Sequence, residues 1–451
     1  MMDATGRPAS VVPRRLRRGT VFGLLLLVFV VRLAFGVTND FFGEDEFQVY
    51  LIGLKFFTTG VWPLYGADVV YTETHVPGGL QGLLVGGPLY LLAQPEAPYV
   101  LLNALSLAAL SLLGWYITRR VPDVPRWFLW PWIFFMPWTF DLSAHIINTS
   151  YVLCGAVPFF VGAFELVPAL RTGALSRRLS FFFLGLGLFW VYQIHMSAAL
   201  LAPMALVVLV LVAWHDRAAA LRGIPWFLLG ALVTIPSLIP TLVAVGPAAV
   251  AGSTRANIVF EPDHLLRLPQ VVLQFFSFGS FELPRFIGSN THDRLTFLVR
   301  YWWAAPFVVL ATLIGMLQTG VLLVGLFRSP AQRADWPAVR ATTAIVVALV
   351  FASFALSVKA PASHAFYAVF PVVTIYAFYW WTSLFSIRLV RMLAVSLLVA
   401  GGITHLAIAS RNIADRSLYT NRALVMRAIQ ERNHHLLGEL RRDRWHPASD
   451  E

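Results

Sequence analysis

Three consecutive acids, Glu44-Asp45-Glu46, follow the first long apolar run of this chain and open a stretch with helical periodicity. Acids are favoured at a helix N-terminus by about 0.3–1 kcal/mol each, but capping needs only one, and neighbouring carboxylates repel. Glu44 is assigned the structural role, Asp45 the chemistry, and Glu46 orients or assists. A carboxylate in a partly desolvated interface has its pKa raised toward a value useful for a general base. Other groups that could work with it are Asp141 and His145, His195 after Gln193, His75, and the run Lys359, Ser363, His364 and Tyr367. Arg294 and Arg300 lie in a long polar segment. A carboxylate base facing lysine, histidine and arginine suits transfer of a group from a phosphate ester to a hydroxyl, because the cations stabilise the leaving phosphate. Lys359 carries extra weight, since the chain has only two lysines, Lys55 and Lys359. Ordinary roles also exist: Asp141 as a helix cap, the histidines at the water boundary, and Arg32 snorkelling or pairing with Asp45 or a lipid phosphate.

These groups must be held by a membrane fold. Of the 451 residues 58% are hydrophobic and 13% charged, with mean hydropathy +0.70. Soluble domains are about a quarter charged. Long apolar runs recur from residue 21 to 409, so the chain is a polytopic membrane protein of helices. One cysteine, Cys154, excludes a disulfide framework within the chain. The net charge of +11 does not indicate nucleic acid, because the arginines fall in short loops between apolar runs, as topology signals do.

Arginines before residues 21–37 make that run a signal anchor or a cleaved signal peptide; the later topology favours the anchor, with a cytoplasmic N-terminus. Residues 44–59 read as a short one-sided helix ended by Gly60, lying in the outer interface. Residues 77–93 form a second short helix, spanning or interfacial. Charge parity decides for interfacial. Spans at 99–118, 127–140, 150–170, 179–194, 198–214, 224–245, 300–327, 341–358, 365–385 and 389–409 then place every arginine-rich short loop in the cytoplasm. The expectation is about eleven transmembrane helices with two interfacial helices in the first external loop, 38–97. A long external loop, 246–297, contains another interfacial or re-entrant helix at 265–278. The segments are a cytoplasmic 1–20, a transmembrane domain 21–410 and a charged tail 411–451. The tail is rich in arginine yet comes out external.

Asp45-Glu46-Phe47-Gln48-Val49-Tyr50 with Gly60, then His75-Val76-Pro77-Gly78-Gly79, Arg119-Arg120, Asp141, Gln193-Ile194-His195 and Ser363-His364-Ala365-Phe366-Tyr367 with Pro371 follow one another in a known order. The arrangement resembles the GT-C membrane glycosyltransferases. Within them it is most similar to the protein O-mannosyltransferases, the lipid A aminoarabinose transferase and their bacterial relatives. It departs from the aminoarabinose transferases in having His-Val-Pro-Gly where they carry Lys-Pro-Pro. The resemblance implies an all-α GT-C-like bundle that transfers a sugar from a polyprenyl-phosphate donor to a lipid, glycan or protein hydroxyl. The site would lie on the outer face of a bacterial cytoplasmic membrane. Asp45 and Glu46 would be catalytic. Lys359, His364, Arg294, Arg300, His195, Asp141, His145, His75 and Tyr367 would bind substrate. A divalent metal bridging Asp45 to the phosphate is compatible with this chemistry, though no ligand set is readable. A lipid or glycan transporter or flippase, and a non-catalytic envelope-assembly subunit, are the alternatives.

Overall fold

The computed structural model describes residues 18–437 except 42–43, 70–71, 73, 283, 329–332, 359–361 and 414–416. Lys359 and Glu73 therefore lie outside the described residues. Helix α1 (Arg18–Thr38) leads to α2 (Glu44–Thr59), whose bounds match the expected amphipathic helix and its stop at Gly60, φ +70°. A hairpin of β1 (Tyr65–Val69) and β2 (Thr74–Pro77) follows, pairing Asp68 with His75. This is a departure from an all-helical reading. The second short helix, α3, starts only after the hairpin (Leu80–Leu91). A Cβ on Gly86 would meet the Gly53 carbonyl, so α2 and α3 pack backbone to backbone.

Helix α4 (Ala97–Arg120) is the axis of the bundle. Its N-terminal end meets α2, with Tyr50 Oη donating to Pro95 O at 3.0 Å. At its other end, about 36 Å away for a helix of this length, Arg120 donates to Leu170 O (2.5 Å) and Asp335 Oδ2 (2.9 Å). Glu165 accepts there from Tyr116 Oη and from the backbone of Thr172 and Gly173. The two ends of α4 thus mark two polar faces of the molecule.

The expected span at 127–140 is two helices, α5 (Arg126–Phe135) and α6 (Pro137–Ala144). Pro137 forces Met136 out of the helical region, to ψ 149°. The break frees carbonyls in a place with no water. Arg32 satisfies them, donating to Phe134 O (2.7 Å), Thr139 O (3.1 Å) and Ser143 Oγ (2.9 Å) while wholly buried. It neither snorkels nor is directed at Asp45; it is the internal cap of a broken helix.

Next come α7 (Val152–Leu166), α8 (Arg177–Tyr192), α9 (Ala198–His215) and α10 (Arg217–Leu232). The expected span at 224–245 is likewise divided, between α10 and α11 (Ile235–Ala256). α11 is apolar and long enough to cross a membrane, yet both its ends are tied to one hairpin. Gly79 N donates to Ser237 O and Thr241 Oγ1 to Leu64 O. Just beyond the helix, Asn257 Nδ2 donates to Thr74 Oγ1 and Asn257 Oδ1 accepts from Thr72 Oγ1. A bend at Gly246 (φ 78°) lets the helix run along the hairpin, whose strands span only about 17 Å.

The remaining helices are α12 (Leu268–Ser277), α13 (Pro284–Ile287), α14 (Thr291–Arg300), α15 (Ala305–Gly325), α16 (Trp336–Ala355), α17 (Phe370–Leu384), α18 (Arg388–Ile413) and α19 (Leu418–Gln430). α12 lies within the apolar segment 265–278 expected in the long loop. The turn after it drives Phe281 to mid-bundle, against Gly315 of α15, Gly401 of α18 and Trp132 of α5. Gln318 Oε1 accepts from Phe281 N, so the buried turn is not left unpaired. Among the described residues eight helices, not eleven, are long and apolar enough to span by length and composition, α11 included. The tail lies on the face of the first loop. Asp40 bridges to Ser417, Arg422 pairs with Glu96, and Thr58 Oγ1 meets His434 Nδ1 at 2.9 Å.

Candidate active site

The acidic stretch meets the α6–α7 connection. Asp45 Oδ2 accepts from Asn148 Nδ2 at 2.9 Å. Glu46 Oε1 lies 3.5 Å from Nε2 of His145, which is buried. His145 Nδ1 is 2.5 Å from the Asp141 carbonyl oxygen, which can only accept, so that nitrogen carries the proton. Asn39 Nδ2 donates to Asp141 Oδ1 at 3.0 Å and stands 3.1 Å from His145 Nδ1. Burial pulls the His145 imidazole down, but the hydrogen bond to Glu46 and the charges of Asp141 and Glu46 outweigh it, leaving the pKa above its ordinary value. Asp141 is therefore a member of this network, inside α6, and not the cap of the helix after it.

A second cluster is cationic. Arg285, on the four-residue α13, donates to Ser363 Oγ (2.9 Å) and meets His364 Nδ1 at 2.7 Å. Its guanidinium lies 5.4 Å from the Trp138 ring centroid. Burial lowers the Arg285 pKa, and the charges of Glu282 and Asp141 oppose that. The charge of Asp141 thus acts on both clusters.

Between hairpin, α8, α9 and α16 lies a cavity of about 650 Å³, mostly apolar. Asp45, Asn148, His195, Asp68 and Asn257 give it polar points, and Ala365, next to His364, lines it too. Ser197 N donates to His195 Nδ1 at 3.1 Å, which fixes the ring at the start of α9. His75 Nδ1 is 2.6 Å from Asp68 Oδ1 on the hairpin.

Other expected binding residues are placed differently. Tyr367 is buried and donates to Trp138 O at 2.8 Å, joining the 3-10 turn Ser363–Val369 to α6. Arg294 Nε donates to Pro284 O (3.0 Å) and Gly288 O (3.1 Å), holding the backbone that carries Arg285. Arg300 is exposed at the end of α14, over the Tyr301 ring. Arg285, Asn39, Asn148 and Asn412 are the polar residues that reading by type and spacing did not single out. No periodicity marks them; Pro284 just before Arg285, and the position of Asn39 directly after the first span, are the only local signals. Among the described residues no group of three or more His, Cys, Asp or Glu stands close enough to hold a metal ion.

No family model and no curated protein matches the sequence. Two solved structures of ArnT from Cupriavidus metallidurans are similar in fold. The one bound to undecaprenyl phosphate is 15% identical, with 94% of this chain and 78% of that chain covered and a TM-score of 0.49. The apo structure is 14% identical, with 93% and 77% covered and a TM-score of 0.49.

Proposed function

We propose that this protein transfers a sugar from a polyprenyl-phosphate donor to an acceptor hydroxyl at the outer face of the cytoplasmic membrane. The observation that carries the reading is Asp45. Its carboxylate, oriented by Asn148, stands on the wall of a largely apolar cavity built by membrane helices. An apolar groove suits an isoprenoid chain, and a carboxylate at its polar edge suits proton abstraction. The acceptor oxygen attacks the anomeric carbon, its proton passes to Asp45, and the bond from that carbon to the phosphate oxygen breaks. The leaving phosphate gains charge, and Arg285 with His364 and Ser363 provides donors for it. Lys359 lies outside the described residues; four positions ahead of Ser363 in the sequence, it is a further candidate donor on sequence alone. Glu46, held by His145, orients the acceptor.

Mass spectrometry of envelope glycolipids and glycans tests the reading. A strain lacking this protein should lose one class of species differing by a single sugar residue, restored by the wild-type chain. An unchanged envelope profile, with lipid-linked sugar failing to accumulate, would count against it.

A further inference from the structure

The end of the last long helix touches both halves of the site. Asn412, 7% exposed, donates from Nδ2 to Asn39 Oδ1 at 2.7 Å. Asn39 is the residue whose amide reaches Asp141 and His145. The side-chain oxygen of Asn412 in turn accepts from Arg411 Nε at 3.0 Å. Arg411 reaches the other way: its terminal nitrogens donate to Ile287 O (3.0 Å) and Phe286 O (3.4 Å), and it lies over the Phe297 ring. Those carbonyls belong to α13, the short helix that presents Arg285.

A helix of four residues does not hold itself, because it cannot repay the cost of its own nucleation. Its carbonyls need partners from elsewhere. Arg294 supplies one at Pro284 and another just past the helix at Gly288, and Arg411 supplies two more, at Phe286 and Ile287. On the acidic side Asn39 has each amide atom engaged: Oδ1 accepts from Asp40 N and Asn412, and Nδ2 donates to Asp141. One consecutive pair of residues on a rigid span therefore fixes two groups that lie far apart in the sequence.

We infer that Arg411 and Asn412 are positioning residues that set the separation of the acidic network around Glu46, the neighbour of the base, and the phosphate cradle. Arg411 holds the Arg285 segment, and Asn412 holds the Asn39–Asp141–His145 network beside Glu46. Neither touches the reacting atoms. The inference rests on the proposed sugar transfer, and it assigns the two residues different effects. Loss of Arg411 loosens the cation and weakens phosphate binding. Loss of Asn412 loosens the acids and slows transfer with binding kept.

The experiment measures binding of decaprenyl monophosphate to the purified full chain in detergent, beside envelope sugar transfer in cells. Arg411→Ala should weaken binding about tenfold, the size expected for loss of charge-assisted hydrogen bonds. It should also raise hydrogen exchange in residues 284–288. Asn412→Ala should leave binding within about twofold and cut transfer about tenfold. Arg411→Lys keeps the charge and loses the fork, so it should bind with intermediate affinity; it decides the matter if the alanine variant does not fold. Arg285→Ala separates the two claims. If it loses binding while Arg411→Ala and Arg411→Lys bind as wild type, the positioning role is overturned and the anion site stands. If Arg285→Ala binds as wild type, the anion site itself is wrong and the inference goes with it. Equal loss of binding in Arg411→Ala and Asn412→Ala would show a general structural role and overturn the split.

Discussion

At the scale of single residues, His145 is a buried titratable member of the acidic network. It is buried between Glu46 and the Asp141 carbonyl, with Asn39 alongside, and its pKa is raised despite burial. A group whose folded-state value is raised contributes stability that is fully present below its unfolded value, about pH 6.5. That contribution disappears as pH rises through the folded value. The thermal midpoint of the detergent-solubilised protein should therefore fall on going from about pH 6 to pH 9, and His145→Gln should flatten this dependence. An identical slope in both proteins would mean that the imidazole is neutral in the fold. Reading by residue type singled out Asp45, Glu46, Asp141 and His145, because acids and histidines at apolar-helix ends are rare enough to notice, and their contacts converge on the α6–α7 connection. It assigned no role to Arg285 or to the asparagines. Their role depends on which loops meet, and a sequence in one dimension carries no sign of that.

At the scale of elements, the helices that carry the site are the irregular ones. α5 and α6 are separated by Pro137 and capped by Arg32, α13 is a single turn, and Phe281 ends a buried turn. Apolar composition hid these breaks: 127–140 and 224–245 read as continuous spans since hydropathy is blind to backbone geometry. α2 was legible to the residue, because its amphipathic spacing and Gly60 are local signals. The buried turn makes a direct prediction. A Cβ at Gly315 would collide with the Phe281 carbonyl, whereas one at Gly320, on the same helix, meets nothing within 4 Å. Gly315→Ala should lower stability by about 1–3 kcal/mol through overpacking. Gly320→Ala should be neutral or stabilising by up to about 1 kcal/mol. Thermal unfolding in detergent checks both, and equal behaviour of the two variants would place the turn elsewhere.

At the scale of the whole molecule, two polar faces lie at opposite ends of α4. One holds Asp45, the hairpin and the tail; the other holds Arg120, Asp335 and Glu165. Charge parity put the arginine-rich tail on the face of the first loop against the usual trend, and the contacts of α19 with Glu96 and of His434 with Thr58 place them together. A membrane-impermeant thiol reagent should modify Thr59→Cys and Gln430→Cys from one side and Ala218→Cys from the other, in a Cys154→Ala background. Labelling of Gln430→Cys and Ala218→Cys from the same side would contradict this arrangement. Long loops and the tail cover the site face, so the assembly of the site depends on the last helix as much as on the first loop. The count of spans was the least legible feature. α11 has a span's composition, and its ties to the hairpin show that it runs along that hairpin.

The central claim is that Asp45 is the base of a sugar transfer. General-base groups contribute about 10²–10⁴-fold to rate, and Asp45→Asn keeps the side chain's size while removing its basicity. Mass spectrometry of the envelope sugar products should be made in the deletion strain carrying this variant, at wild-type protein level. The account predicts that the sugar-bearing species stays absent, as in the empty deletion strain. Restoration to the wild-type amount would contradict it.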